Sequence, residues 1–358
     1  MDKRDWAFET ATFVANRSET PDEVGSFWTR RARRIINFYA LPCLAYFYSV
    51  DGPMQYFISL LSDYFRNTDK WVILLISIFV GSLVFINYKY GWENKIWNAG
   101  SAEERFFRFY FLYLFAFAGA YFLQQLIKPN VPKSFWPFLA IVLIAPAVFA
   151  FKVSFYQHRS LFDKLFPFPS NRYYFTLLDY PLRFLFVLVA VWLLWRWIKP
   201  AYPFCGLSFK NFQIKPYLIL LACMVPLIAL ASTRPDFLHS YPKMKMLGFL
   251  PVVHWYDRLL FQISYGIDFL TIETFFRGFL VLAFAHYVGK DSILPMAAFY
   301  CVIHFGKPIP ECISSYFGGL ILGVLTFETQ TILGGLLVHV GVAWMMEAGG
   351  YIGNFLKR

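Results

Sequence analysis

Charge is scarce in this chain: 15% of its 358 residues are Asp, Glu, Lys or Arg, against about 25% in a soluble domain. That shortage excludes an ordinary water-soluble surface. With 58% hydrophobic residues and a mean hydropathy of +0.48, the sequence reads as a polytopic membrane protein. Metal-type cysteine spacing is missing as well. Cys43, Cys205, Cys223, Cys301 and Cys312 are odd in number and scattered, with no Cys-x-x-Cys, so they read as small buried hydrophobes. No His-Glu-x-x-His occurs. The first 34 residues hold no apolar h-region, which argues against a cleaved signal peptide. The start, Met-Asp, and the end, "FLKR", carry no lipidation signal. A concentrated basic face is absent too. The net charge of +11 is spread over the ends of apolar runs, so it implies positive-inside topology and contact with anionic lipid, with no nucleic-acid partner.

What is present is a succession of oily runs rich in rings: 22% aromatic residues, 43 of them Phe and 23 Tyr. A spanning helix needs about 20 mostly apolar residues. Candidate segments fall near 36–50, 71–88, 107–127, 135–152, 178–198, 216–232, 259–286, 291–305, 310–328 and 331–350. The expected fold is an all-α membrane bundle of about eight to ten such segments. The first is short enough to be interfacial, and the one at 259–286 is long enough to tilt. Residues 1–34 read as a polar arm, 35–254 as N-terminal membrane helices with loops, 255–350 as a catalytic-type core and 351–358 as a short basic tail. Arg30, Arg31, Arg33 and Arg34 precede the first run, which puts the arm on the cytoplasmic side. The expected location is a bacterial inner membrane. No internal repeat is visible, which argues against a transporter.

Ionisable residues gather in the last four segments. "DFLTIETFFRGFLV" holds Asp268, Glu273 and Arg277, and the latter two stand four apart, at ion-pair spacing on a helix. "FYCVIHFGKPIPE" holds His304 and Glu311, with Pro308 and Pro310 between them to break the helix. "GGLLVHVGVAWMMEAGG" places His339, Ala343 and Glu347 at steps of four, one stripe of a helix. A lone histidine on an apolar face is more often a satisfied core residue. Two histidines with five charged neighbours on adjacent segments point to a shared site, because ionisable groups in a membrane are costly.

"IETFFRG", "FYCVIH" and "GGLLVHVGVA", within residues 255–350, resemble the CPBP family, the CAAX protease and bacteriocin-processing (Abi) intramembrane proteases. Its pattern is Glu-Glu-x-x-x-Arg, then Phe-x-x-x-His, then His-x-x-x-Asn. The resemblance implies an endopeptidase acting on a membrane-associated protein or peptide, without a cofactor. Water would be activated by a carboxylate, Asp268 or Glu273, with His304. His339 would stabilise the oxyanion and Arg277 would hold Glu273 ionised. Two positions depart: Ile272 stands where the first Glu belongs and Ala343 where the Asn belongs. Tyr300 replaces the Phe. Asp268, about 6 Å earlier along the helix, is the expected substitute for the lost Glu, with Glu311 and Glu347 as further candidates. The alternatives are an inactive scaffold or binding protein built on the same fold, and a metal-dependent variant drawing on these His, Asp and Glu side chains.

Overall fold

A computed structural model of the chain describes residues 53–210 and 212–356. The apolar run at 36–50, the N-terminal arm and Cys43 lie outside them. All regular structure among the described residues is helical. The helices are α1 (Pro53–Asn67), α2 (Lys70–Tyr90), α3 (Trp92–Trp97), α4 (Ala102–Ile127), α5 (Phe135–Ser154), α6 (His158–Leu165) and α7 (Ser170–Ile198). They continue with α8 (Ile214–Ala231), α9 (Pro235–Ser240), α10 (Trp255–Ile272), α11 (Phe284–Val288), α12 (Ile293–Val302), α13 (Ile309–Thr329) and α14 (Leu333–Leu356). Seven stretches among the described residues are long and apolar enough to cross a bilayer: α2, α4, α5 with α6, α7, α8, α13 and α14.

Local sequence sets where these helices begin and end. Asp69 accepts the Trp71 N–H and Ser101 the Glu104 N–H, capping α2 and α4 with the side-chain types that helix starts favour. Glu103 and Glu104 add negative charge at the positive end of α4. Pro308 and Pro310 do break the chain: α12 stops at Val302 and α13 starts at Ile309. His158 and Arg183 both bond Asp179, at 2.7 and 2.8 Å, which fastens α6 to α7.

Two segments read as membrane spans take another form. The run at 259–286 divides into α10, a π-helix over Glu273–Ala283 and α11. π-Winding is rare and usually limited to one turn at functional sites; here it lasts 11 residues. The run at 291–305 yields only the ten residues of α12, all of them buried. At 1.5 Å per residue that helix is about 15 Å long, too short to cross. Its apolar character serves protein packing. Phe275, Phe276, Phe279 and Phe299 are fully buried and join Phe117 and Phe149 of α4 and α5 in one aromatic core. The helices α2, α4, α5 and α7 thus jacket the π-helix and α12, while Phe111, Phe115 and Phe122 of α4 point outward, as lipid contact requires.

Candidate active site

Glu273 and Arg277 open the π-helix and are wholly buried, with Arg277 Nη1 3.3 Å from Glu273 Oε1. A charge in so dry a place persists only if it is paired. The same carboxylate oxygen accepts from His339 Nδ1 at 2.5 Å, and His339 Nε2 lies 2.8 Å from the Tyr300 hydroxyl. The Arg277 guanidinium sits 4.1 Å from the centre of the Tyr300 ring, a cation–π contact. Glu273, Arg277, His339 and Tyr300 therefore form one buried chain. Phe269 stacks on the His339 ring at 6.2 Å and completes its walls.

Tyr300 also carries His304. The Tyr300 carbonyl lies 2.8 Å from His304 Nδ1, and the two rings meet edge to face at 4.6 Å. A carbonyl only accepts, so Nδ1 holds the proton and a neutral ring keeps its lone pair on Nε2. His304 lines a cavity of about 380 Å³ together with Asp268, Ile272, Tyr300, Lys152, Lys243, Lys307 and Glu93. That volume is within the range of small-ligand sites. A larger groove of about 930 Å³ lies along α4, but its walls are almost wholly apolar and face the lipid.

The seven residues expected from sequence separate into three places. Asp268 and His304 share the cavity. Glu273, Arg277 and His339 stand behind it, joined to it through Tyr300. Glu311 and Glu347 act on the loop before α10. Glu311 pairs with Lys307 at 3.2 Å and accepts from the Tyr241 hydroxyl, also at 3.2 Å. Glu347 accepts the backbone N–H groups of Lys243 and Met244 at 2.5 and 3.1 Å, which anchors the loop that brings Lys243 to the cavity wall. Asp268 is not free, since Lys152 Nζ donates to it at 2.7 Å. Ile272 does line the cavity, so an apolar side chain stands at the position of the family's first Glu. Ala343 is packed among Leu247, Phe261 and Tyr265, and its position offers no donor.

Lys152, Lys243, Lys307 and Glu93 are not among the candidate site residues read from sequence. Lys152 had a visible signal, as a single charge ending an apolar run. Glu93 and Lys243 sit in ordinary polar connections and had none. Burial, reinforced by the charge of Lys307, lowers Lys243 to about 8. Among the described residues no three His, Cys, Asp or Glu side chains converge as a group that would hold a metal ion, so the metal-dependent alternative finds no ligand set there.

The site also depends on a close helix approach. A Cβ on Gly335 would lie 2.2 Å from Glu273 Oε2. Both groups are buried, so Gly335→Ala must displace the carboxylate. We expect a loss of about 1–3 kcal/mol, typical of overpacking, read as a lower midpoint in thermal unfolding of the detergent-purified protein. An unchanged midpoint would show that α14 has room to move.

With this geometry in view, the comparisons are specific. The family model described as type II CAAX prenyl endopeptidase Rce1-like matches residues 255–345, the region of the CPBP resemblance. No curated protein and no solved structure matches the chain. Seven apolar helices support a multi-pass membrane protein, and its C-terminal region is similar to the Rce1-like CAAX endopeptidase model.

Proposed function

We propose that the protein is an intramembrane endopeptidase that hydrolyses a peptide bond of a membrane-associated protein or peptide. The observation that carries this reading is the shared cavity. His304, with its Nε2 lone pair, shares one pocket with carboxylates, and His304 and Asp268 of that pocket lie in the segment that matches the protease-family model. His304 orients and polarises the water beside that carboxylate. General-base help of this kind contributes typically about 10²–10⁴-fold.

His339 reaches the oxyanion through Tyr300. Both of its ring nitrogens are engaged, Nδ1 by Glu273 and Nε2 by the Tyr300 hydroxyl. When the ring carries two protons, Nε2 donates to Tyr300 and the hydroxyl hydrogen is released to the developing oxyanion. Glu273, Arg277 and the imidazolium then sum to one positive charge, opposite in sign to the charge that forms. The hydroxyl that Tyr300 adds at the family's Phe position thereby stands in for the donor missing at Ala343. Asp268, held by Lys152, shapes the wall next to the water. The basic cluster before the first apolar run supports a cytoplasmic N-terminus.

A specific observation favours a second reading, an inactive binding protein on the same fold: apolar side chains occupy both departed motif positions, Ile272 and Ala343. The experiment that decides uses the full chain in liposomes, with a farnesylated peptide ending in a CAAX sequence and its unprenylated twin. The protease reading expects release of the C-terminal fragment from at least one of them. Tight binding of the peptide without any cleavage would support the scaffold instead.

A further inference from the structure

Two carboxylates line the cavity, and their surroundings differ. Asp268 is closed by Lys152 at 2.7 Å. Glu93, on α3, makes no ion pair among the described residues, and the Trp97 side chain nearby favours its charged form. It belongs to a corner docked onto the turn that carries His304. The Glu93 backbone N–H donates to Asn87 Oδ1 at 2.9 Å, and buried Asn87 sends Nδ2 to the Phe305 carbonyl at 3.4 Å. Next to it, the Tyr88 hydroxyl donates to the Lys307 carbonyl at 2.5 Å. The Glu93 carboxylate lies directly over Gly306: a Cβ there would be 2.6 Å from Oε1. Glycine two residues after His304 is what gives the carboxylate its place.

We propose that Glu93, supplied from outside the family-matched segment, is the catalytic carboxylate that works with His304 on the nucleophilic water, in the role left vacant by Ile272. This inference rests on the hydrolytic reading. The water lies between Glu93 and His304 Nε2. Glu93 takes one of its protons as the oxygen attacks the carbonyl carbon, and the C=O pair moves onto the carbonyl oxygen. Collapse restores the C=O bond and breaks the C–N bond. Glu93 then delivers its proton to the leaving nitrogen, so the products are a carboxylic acid and an amine. His304 Nε2 holds the second proton of the water by a hydrogen bond throughout. Burial raises Glu93 above the usual carboxylate range, which suits a base that must pass its proton on. Asp268, neutralised by Lys152, is less suited to this exchange.

The test uses the full chain in liposomes with the farnesylated peptide and its unprenylated twin. Glu93→Gln is expected to lower kcat by roughly 10² or more, with KM changed by less than about threefold. A base works when ionised, so wild-type kcat/KM falls as pH drops through the raised Glu93 value. Glu93→Gln should lose that acid limb and Asp268→Asn should keep it. If Glu93→Gln does not fold, Glu93→Asp, which withdraws the carboxylate by one methylene, should lower kcat yet retain the limb. Full kcat in either variant, beside an inactive His304→Ala, overturns the assignment and leaves the hydrolytic reading standing. A wild type no more active than His304→Ala overturns both.

Discussion

Arg277→Met is expected to destabilise the protein by about 3–5 kcal/mol, the usual cost of stripping one partner from a buried ion pair. Arg277 has no exposed surface, and its guanidinium serves both the Glu273 carboxylate at 3.3 Å and the Tyr300 ring at 4.1 Å. Methionine keeps most of the stem volume, so the loss is chiefly electrostatic. Glu273 would then face only His339, inside an apolar jacket of phenylalanines. Adding Glu273→Gln should recover part of the loss, because it removes the stranded charge. Residues in one network couple by about 0.5–3 kcal/mol, and the double-mutant cycle measures it. Thermal unfolding in detergent reads all three variants. A single variant as stable as the wild type, or strict additivity in the cycle, would show that the pair does not hold the π-helix in place.

His304→Ala should have the opposite profile: little change in stability and a fall in kcat/KM of about 10²–10⁴-fold. The side chain is only partly buried and its hydrogen bond goes to the Tyr300 carbonyl. Its removal enlarges a cavity that already exists, so the packing cost is small. Hydrolysis, by contrast, loses the group that orients the water. His304→Gln, which can keep a donor toward the carbonyl, should be as inactive as the alanine variant. Activity in either, above one-tenth of wild type, would remove His304 from the chemistry.

Much of the fold could be read from composition alone. Runs such as 107–127 leave few options, because a backbone in lipid must satisfy its hydrogen bonds internally and a helix does so. The pairing of Glu273 with Arg277 was legible from their spacing, and the break after His304 from Pro308 and Pro310. The winding of "ETFFRGFLVLA" was not. Its residues suit an α-helix equally well, and nothing in their local pattern marks the π form. Nor could 291–305 be told from a spanning helix, since periodicity cannot separate protein-buried apolar residues from lipid-facing ones. The cavity depends on pairs far apart in sequence. Lys152 and Asp268 are separated by 116 residues, and nothing local in "GWENKIW" marks Glu93. The resemblance located the motif residues, and only the geometry showed which of them line the cavity and which stand behind it. Glu347, which sequence grouped with the catalytic candidates, holds backbone amides of the loop at 243–244.

The central claim is that His304 and a cavity carboxylate drive water into a peptide bond. The most direct measurement is hydrolysis of the farnesylated peptide and of its unprenylated twin in oxygen-18 water, followed by mass spectrometry of the fragment bearing the new carboxyl group. The account predicts one solvent oxygen in that carboxyl group with the wild-type chain and, with His304→Ala, a fragment formed at least about 10²-fold more slowly. A labelled fragment formed equally fast by His304→Ala, or no fragment from either protein, would contradict it.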